Sequence, residues 1–143
     1  MQNLSAGLLA GFVATAALSV VLVMKSSMGV MPEMDVIQML AGMMGGSVAV
    51  AWAAHFMIGT LAWGGGYALL YRQIPGIGAV AKGLMLGLVA WGMMMVAVMP
   101  MAGGRFFGMG FGMAAPVMTL MLHLMFGAVL GLVYQSRAVS AFA

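Results

Sequence analysis

Apolar residues run along this chain in four long blocks, and the charged residues are confined to the gaps and block ends. The blocks cover about residues 4–24, 48–71, 83–99 and 117–134. Each is close to the roughly 17–25 residues that a helix needs to cross a hydrocarbon core. The pattern therefore predicts four membrane-spanning helices in a single transmembrane domain, residues 1–143. The first block is too long for the apolar core of a secretory signal and has no Lys or Arg before it, so it reads as a span. Trp63, Tyr67, Tyr71 and Tyr134 fall in or near the last turns of the second and fourth blocks, where an aromatic belt is expected.

The gaps differ in character. In the first, Pro32 is followed by Glu33 and Asp35 and then by an apolar stretch. Proline near a helix start with acids in the first turn marks an N-terminus. A short helix is expected over about 32–44, at the interface or tucked into the bundle, and ended by Gly45-Gly46. The second gap carries the turn signal Pro75-Gly76. The third, residues 100–116, is rich in glycine and phenylalanine and holds Arg105.

Composition agrees with this reading. Of 143 residues, 65% are hydrophobic and 5% charged, against about 25% charged in a soluble domain. The mean hydropathy is +1.17. The pI near 9.8 comes from five Lys and Arg, with no basic stripe to follow a phosphate backbone, so nucleic-acid binding is excluded. There is no cysteine, which removes disulfides, thiolate metal sites and cysteine nucleophiles. The lipid bilayer is the expected partner. Arg72, Lys82 and Arg137 fall on one side of the four-span topology, and Lys25 and Arg105 on the other. The positive-inside rule then puts both termini in the cytoplasm.

The two halves, about 1–72 and 73–143, resemble each other. Gly7-Leu-Leu-Ala-Gly11-Phe-Val-Ala14 matches Gly83-Leu-Met-Leu-Gly87-Leu-Val-Ala90 at an offset of 76 residues. Val30-Met-Pro32 matches Val98-Met-Pro100, and His55-x-Met57-x-Gly59 matches His123-x-Met125-x-Gly127, both at an offset of 68. Two spans per half give both halves one orientation, so a parallel repeat about an axis along the membrane normal is expected. The fold class is thus an all-α, four-helix membrane bundle of two tandem helix pairs with one extra short helix. The Gly-xxx-Gly spans, the Met-Pro turn and the histidine spacing resemble small uncharacterised four-helix proteins of bacterial inner membranes. That resemblance implies a location and no activity.

The only two histidines occupy matching places in the repeat. Ionisable side chains inside a bilayer are costly and point to function. At about 1.5 Å rise per residue, both lie roughly 10 Å below the same membrane face. The expectation is a paired-histidine cofactor site, with His55 and His123 as axial ligands of haem b for electron transfer. Gly59 and Gly127, one turn on, would clear space for a flat macrocycle. Arg105, or Lys25, would pair with a propionate, and Trp52 and Phe126 would pack on the ring. Zinc or copper would also suit two imidazoles. The alternative is a non-catalytic membrane subunit or scaffold, in which each histidine hydrogen-bonds a neighbouring helix.

A third reading starts from the 20 methionines. Thioethers select Cu(I), and Met95-xxx-Met99, Met109-xxx-Met113 and Met121-xxx-Met125 put sulfurs one turn apart. Met95, Met99, Met121 and Met125 would then line a Cu(I)-handling transporter or channel; otherwise methionine is flexible apolar filler. Gly108-Met-Gly-Phe-Gly112 has no strand before it and is no dinucleotide loop. No carboxylate lies within a span to relay protons, and no nucleophile–base–acid set is present, so independent catalysis is not expected. Thr15, Ser19, Thr60 and Thr119 should bond helix backbone. A larger membrane complex or homo-oligomer is expected around so small a bundle, with the Gly-xxx-Gly pairs joining either the halves or the protomers.

Overall fold

The computed structural model describes residues 3–140, with side chains as far as Arg137. The ends of the expected domain, residues 1, 2 and 141–143, lie outside the described residues. Among the described residues all regular structure is helical. We label the helices α1 (Leu4–Ser27), α2 (Val36–Met43), α3 (Val48–Leu70), α4 (Gly78–Met101) and α5 (Ala114–Ser140). Four of them, α1, α3, α4 and α5, are long and apolar enough to cross a membrane.

Their bounds differ from the expected ones for identifiable reasons. α2 begins at Val36, because Asp35 is its N-cap and not a first-turn residue. The Asp35 carboxylate accepts from the amides of Ile37 (2.9 Å) and Gln38 (3.1 Å), satisfying two donors that a helix start leaves open. Pro32 belongs to the preceding turn, closed by the Met34 amide on the Met31 carbonyl. Gly45 and Gly46 end α2 as expected, at φ of 89° and 90°, a backbone that side chains with a Cβ avoid. α4 starts five residues early, at Gly78. Its Lys82 can lie inside the helix because the ammonium donates to the Tyr71 carbonyl (2.6 Å) and lies 4.4 Å from the Tyr71 ring centre. The third gap is not wholly irregular, since Phe106–Phe111 forms short 3-10 turns joined by a kink at Phe107 and Gly108, whose φ are 56° and 66°.

Glycine sets the helix pairing. A Cβ placed on Gly11 would lie 2.6 Å from the Gly59 carbonyl oxygen, and one on Gly7 would lie 2.6 Å from that of Gly64. α1 and α3 therefore touch backbone to backbone. α4 and α5 do the same: a Cβ on Gly83 would overlap the Gly127 carbonyl, and one on Gly131 would lie 2.5 Å from the Ala79 carbonyl oxygen. Close approach of this kind drives helix association where lipid replaces water. Both Gly-xxx-Gly pairs are thus used inside the chain, Gly7 and Gly11 on α3, Gly83 and Gly87 on α5. α1 also packs on α5, joining the two pairs.

Two stretches depart from α geometry. Ile58–Gly65 in α3 and Met94–Val98 in α4 are π-helical. A π turn closes on i+5 in place of i+4. Gly59 and Gly64, five apart, both meet α1 through the π segment. Gly127 and Gly131, four apart, both meet α4 from an α-helix.

The bundle is solid at one end. Ala6, Ala10 and Ala14 of α1 pack with Tyr67, Ala68, Ala79, Leu130 and Tyr134. Here the aromatic expectation is corrected. Tyr67 is 0% exposed and Tyr134 3%, so these rings fill the core and do not belt the surface. Their centres are 5.1 Å apart, edge to face, an arrangement favoured by the ring quadrupoles. The Tyr67 hydroxyl donates to the Ala79 carbonyl, and the Tyr134 hydroxyl accepts from the Asn3 amide at 3.4 Å. Buried hydroxyls need such partners.

Candidate functional site

The other end of the bundle is hollow. A cavity of about 400 Å³ lies among all four spans and is covered by α2, which contributes Val36, Met39, Leu40 and Met43 to its wall. Its volume is within the ~300–1,000 Å³ usual for small-ligand sites, which are likewise mostly apolar with a few placed polar groups. The polar groups here are His55 of α3, His123 of α5, Thr15 of α1 and Thr119 of α5. The structure therefore brings the two histidines to one cavity.

Their local surroundings differ. His123 Nδ1 donates to the Thr119 carbonyl at 2.8 Å, within its own helix. A carbonyl can only accept, so this bond sets the tautomer and leaves the lone pair on Nε2. Metal-binding histidines are oriented by the same kind of bond. His55 Nε2 is buried and has no hydrogen-bond partner among the described residues. Buried polar atoms are nearly always paired, so an orphan of this kind calls for an explanation such as a ligand. The Thr60 hydroxyl is the other orphan, contrary to the expectation that it would bond backbone. Thr15, Ser19 and Thr119 do bond it, at 2.7–2.8 Å to the Gly11, Thr15 and Ala115 carbonyls.

The residues expected around the histidines fall in several places. Phe126 is buried and lines the cavity. Trp52 packs edge to face with the His55 ring, with centres 5.8 Å apart, but belongs to a second cleft with Asp35 and Gln38. Gly59 reaches the wall, yet a Cβ there would overlap the Thr15 hydroxyl. Gly127 packs against Gly83 and Leu84 of α4. The glycines one turn beyond the histidines are thus helix crossings, and Gly127 clears no room in the cavity.

The expected cations are elsewhere too. Lys25 Nζ donates to the Met31 and Met34 carbonyls, at 3.1 and 2.9 Å, and so ties the segment before α2 to α1. Arg105 is exposed in the loop after α4. Neither lines the cavity. The methionine row is also split. Met95 and Met99 are fully buried with Met34, and the Met95 sulfur lies 3.8 Å from the Thr119 hydroxyl oxygen. Met121 is 68% exposed and points outward, while Met125 is half-buried outside that cluster. The thioethers that do reach the cavity are Met39, Met43, Met93 and Met94. Spacing within one helix did not single them out, because they come from two helices distant in sequence.

Among the described residues no three His, Cys, Asp or Glu gather as a metal cluster. One family model matches residues 1–140, that of a family of unknown function (DUF6789). No curated protein and no solved structure matches the chain.

Proposed function

The chain belongs to this family, and we propose that it is a membrane protein without catalysis of its own that holds a metal-centred cofactor between His55 and His123. The observation that carries this reading is the shared cavity: His55 and His123 both line it, and His55 Nε2 is buried with no hydrogen-bond partner among the described residues. Haem b is a form that both imidazoles would serve, and it would supply one-electron transfer when bound. His55 and His123 would hold it, the apolar wall and Phe126 would exclude water, and the Thr119 carbonyl would orient His123. The fit is partial, because no cation lines the wall for the propionates.

The visible spectrum tests the haem form. Protein purified in mild detergent is expected to show a Soret band, before or after haem addition, that is lost in His55→Ala and His123→Ala. A preparation that stays colourless with haem sinks that form. A second reading, a scaffold with structural histidines, draws on the His123–Thr119 bond, which needs no ligand. It predicts that His123→Ala lowers stability without changing any bound cofactor or metal.

We further propose that the halves are repeats about an axis along the membrane normal. From Gly64, inside the π segment, the offset between halves is 67 residues, which pairs Gly64 with Gly131 and Tyr67 with Tyr134. Tyr67 reaches residue 79 of the second half and Tyr134 reaches residue 3 of the first, and positions 3 and 79 are themselves 76 apart. The reciprocity of these contacts supports the axis. We place the protein in a bacterial inner membrane with both termini in the cytoplasm, from the Arg72, Lys82 and Arg137 side. The cavity and α2 then face outward, and any electron partner or further subunit would meet them there.

A further inference from the structure

We infer that the cavity takes a soft monovalent metal ion, Cu(I), bound by His55 and His123 together with methionine thioethers. This deepens the paired-histidine reading and rests on it. Apart from the imidazoles, the wall's uncommitted donor atoms are sulfurs: Met39 and Met43 from α2, Met93 and Met94 from α4. The Thr15 and Thr119 hydroxyls already donate to carbonyls of their own helices. No Asp, Glu, Asn or Gln lines the cavity.

That donor set selects by chemistry. Ca²⁺ and Mg²⁺ require oxygen shells built largely from carboxylates and carbonyls. A zinc site draws three or four ligands from His, Cys and carboxylate, and only two such side chains are here. Thioethers prefer Cu(I), and imidazole suits copper as well. Charge argues the same way. An ion in an apolar wall with neutral donors bears the whole desolvation penalty; that penalty grows with the square of the charge, so a monovalent ion is favoured. The four methionines also differ in exposure: Met43 is 43% exposed and Met93 57%, while Met39 and Met94 are half-buried. α2 carries two of the four, and left-handed residues flank it at Gly29, Met31, Gly45 and Gly46, so the helix that covers the cavity also arms it with sulfur.

The test is competition for Cu(I) against a chromophoric chelator. Full-length protein in mild detergent is stripped of metal and titrated anaerobically, with Ag(I) as a redox-silent second probe. Wild type is expected to bind about one equivalent. Met39→Leu and Met94→Leu conserve volume and are expected to weaken binding at least about tenfold, with His55→Ala and His123→Ala doing the same. Met121→Leu, on the outward face, is expected to change nothing. If the histidine variants lose Cu(I) but the methionine variants do not, the thioether assignment falls and the histidine site stands. If the protein binds haem through both histidines and no Cu(I), the Cu(I) inference falls alone. If neither Cu(I) nor haem binds, both readings fall.

Discussion

Gly127→Leu is expected to unfold the second helix pair or force it apart, at a cost above about 3 kcal/mol. Overpacking a well-filled core typically costs about 1–3 kcal/mol even when side chains can shift, and here the obstacle is backbone. Even the first carbon of a side chain on Gly127 would overlap the Gly83 carbonyl and lie 3.2 Å from the Leu84 Cα. Neither can move without separating α4 from α5. A Cβ on the reciprocal site, Gly83, would likewise overlap the Gly127 carbonyl and lie 3.1 Å from the Gly131 amide nitrogen, so no second glycine can take up the strain. Gly92 in the same helix α4 is the control, because a Cβ there meets nothing within 4 Å. Gly92→Ala should be neutral or stabilising by up to about 1 kcal/mol, the usual helix-propensity difference. Helicity followed through an SDS titration reads both. An unchanged midpoint for Gly127→Leu would mean that α4 and α5 do not cross at these glycines.

Tyr67→Ala is expected to cost about 3–5 kcal/mol, the range for deleting a large aromatic from a core. Tyr67 is 0% exposed and joins three helices. Its ring meets Tyr71 and Tyr134 at 5.5 and 5.1 Å between centres, and its hydroxyl serves the Ala79 carbonyl. Tyr67→Phe separates the contributions. It keeps the ring and leaves the buried carbonyl short of a donor, for about 1–3 kcal/mol. Tyr134→Phe should cost less than Tyr67→Phe, because its hydroxyl bond is long, at 3.4 Å from the Asn3 amide. The same SDS titration ranks the three variants, and equal midpoints for all of them would remove the tyrosines as the junction of the halves.

Much of the architecture was legible in residue order. The four apolar blocks could only be satisfied as spanning helices, since a backbone in lipid must pair its own polar groups. The turn at Pro75-Gly76, the stop at Gly45-Gly46 and the backbone bonding by Thr15, Ser19 and Thr119 follow from local chemistry acting within a few residues. The α2 start was missed because Pro32 and Asp35 are both good start signals, and the carboxylate captured two amides that the proline could not. The tyrosines were misread because an aromatic near a span end has the same sequence signature whether it faces lipid or core.

The site was legible in part. Matching contexts for His55 and His123 identified the residues that the cavity brings together. Their i+4 glycines were assigned to ligand space; both are helix crossings, and of the two only Gly59 also reaches the cavity wall. Under the proposed repeat, the offset between halves slips by one residue between Gly59 and Gly64, within the π segment Ile58–Gly65.

The sequence by itself determined that this chain spans a membrane four times as helices, and that its two histidines lie within the spans. Hydropathy and spacing are properties of single segments, so they can be read one segment at a time. Only the tertiary structure decided that glycine pairs weld α1 to α3 and α4 to α5, that the tyrosine end is solid, and that α2 roofs a hollow lined by two imidazoles and four thioethers. Those outcomes depend on which helix faces which, and that is settled by backbone contacts between residues far apart in the chain.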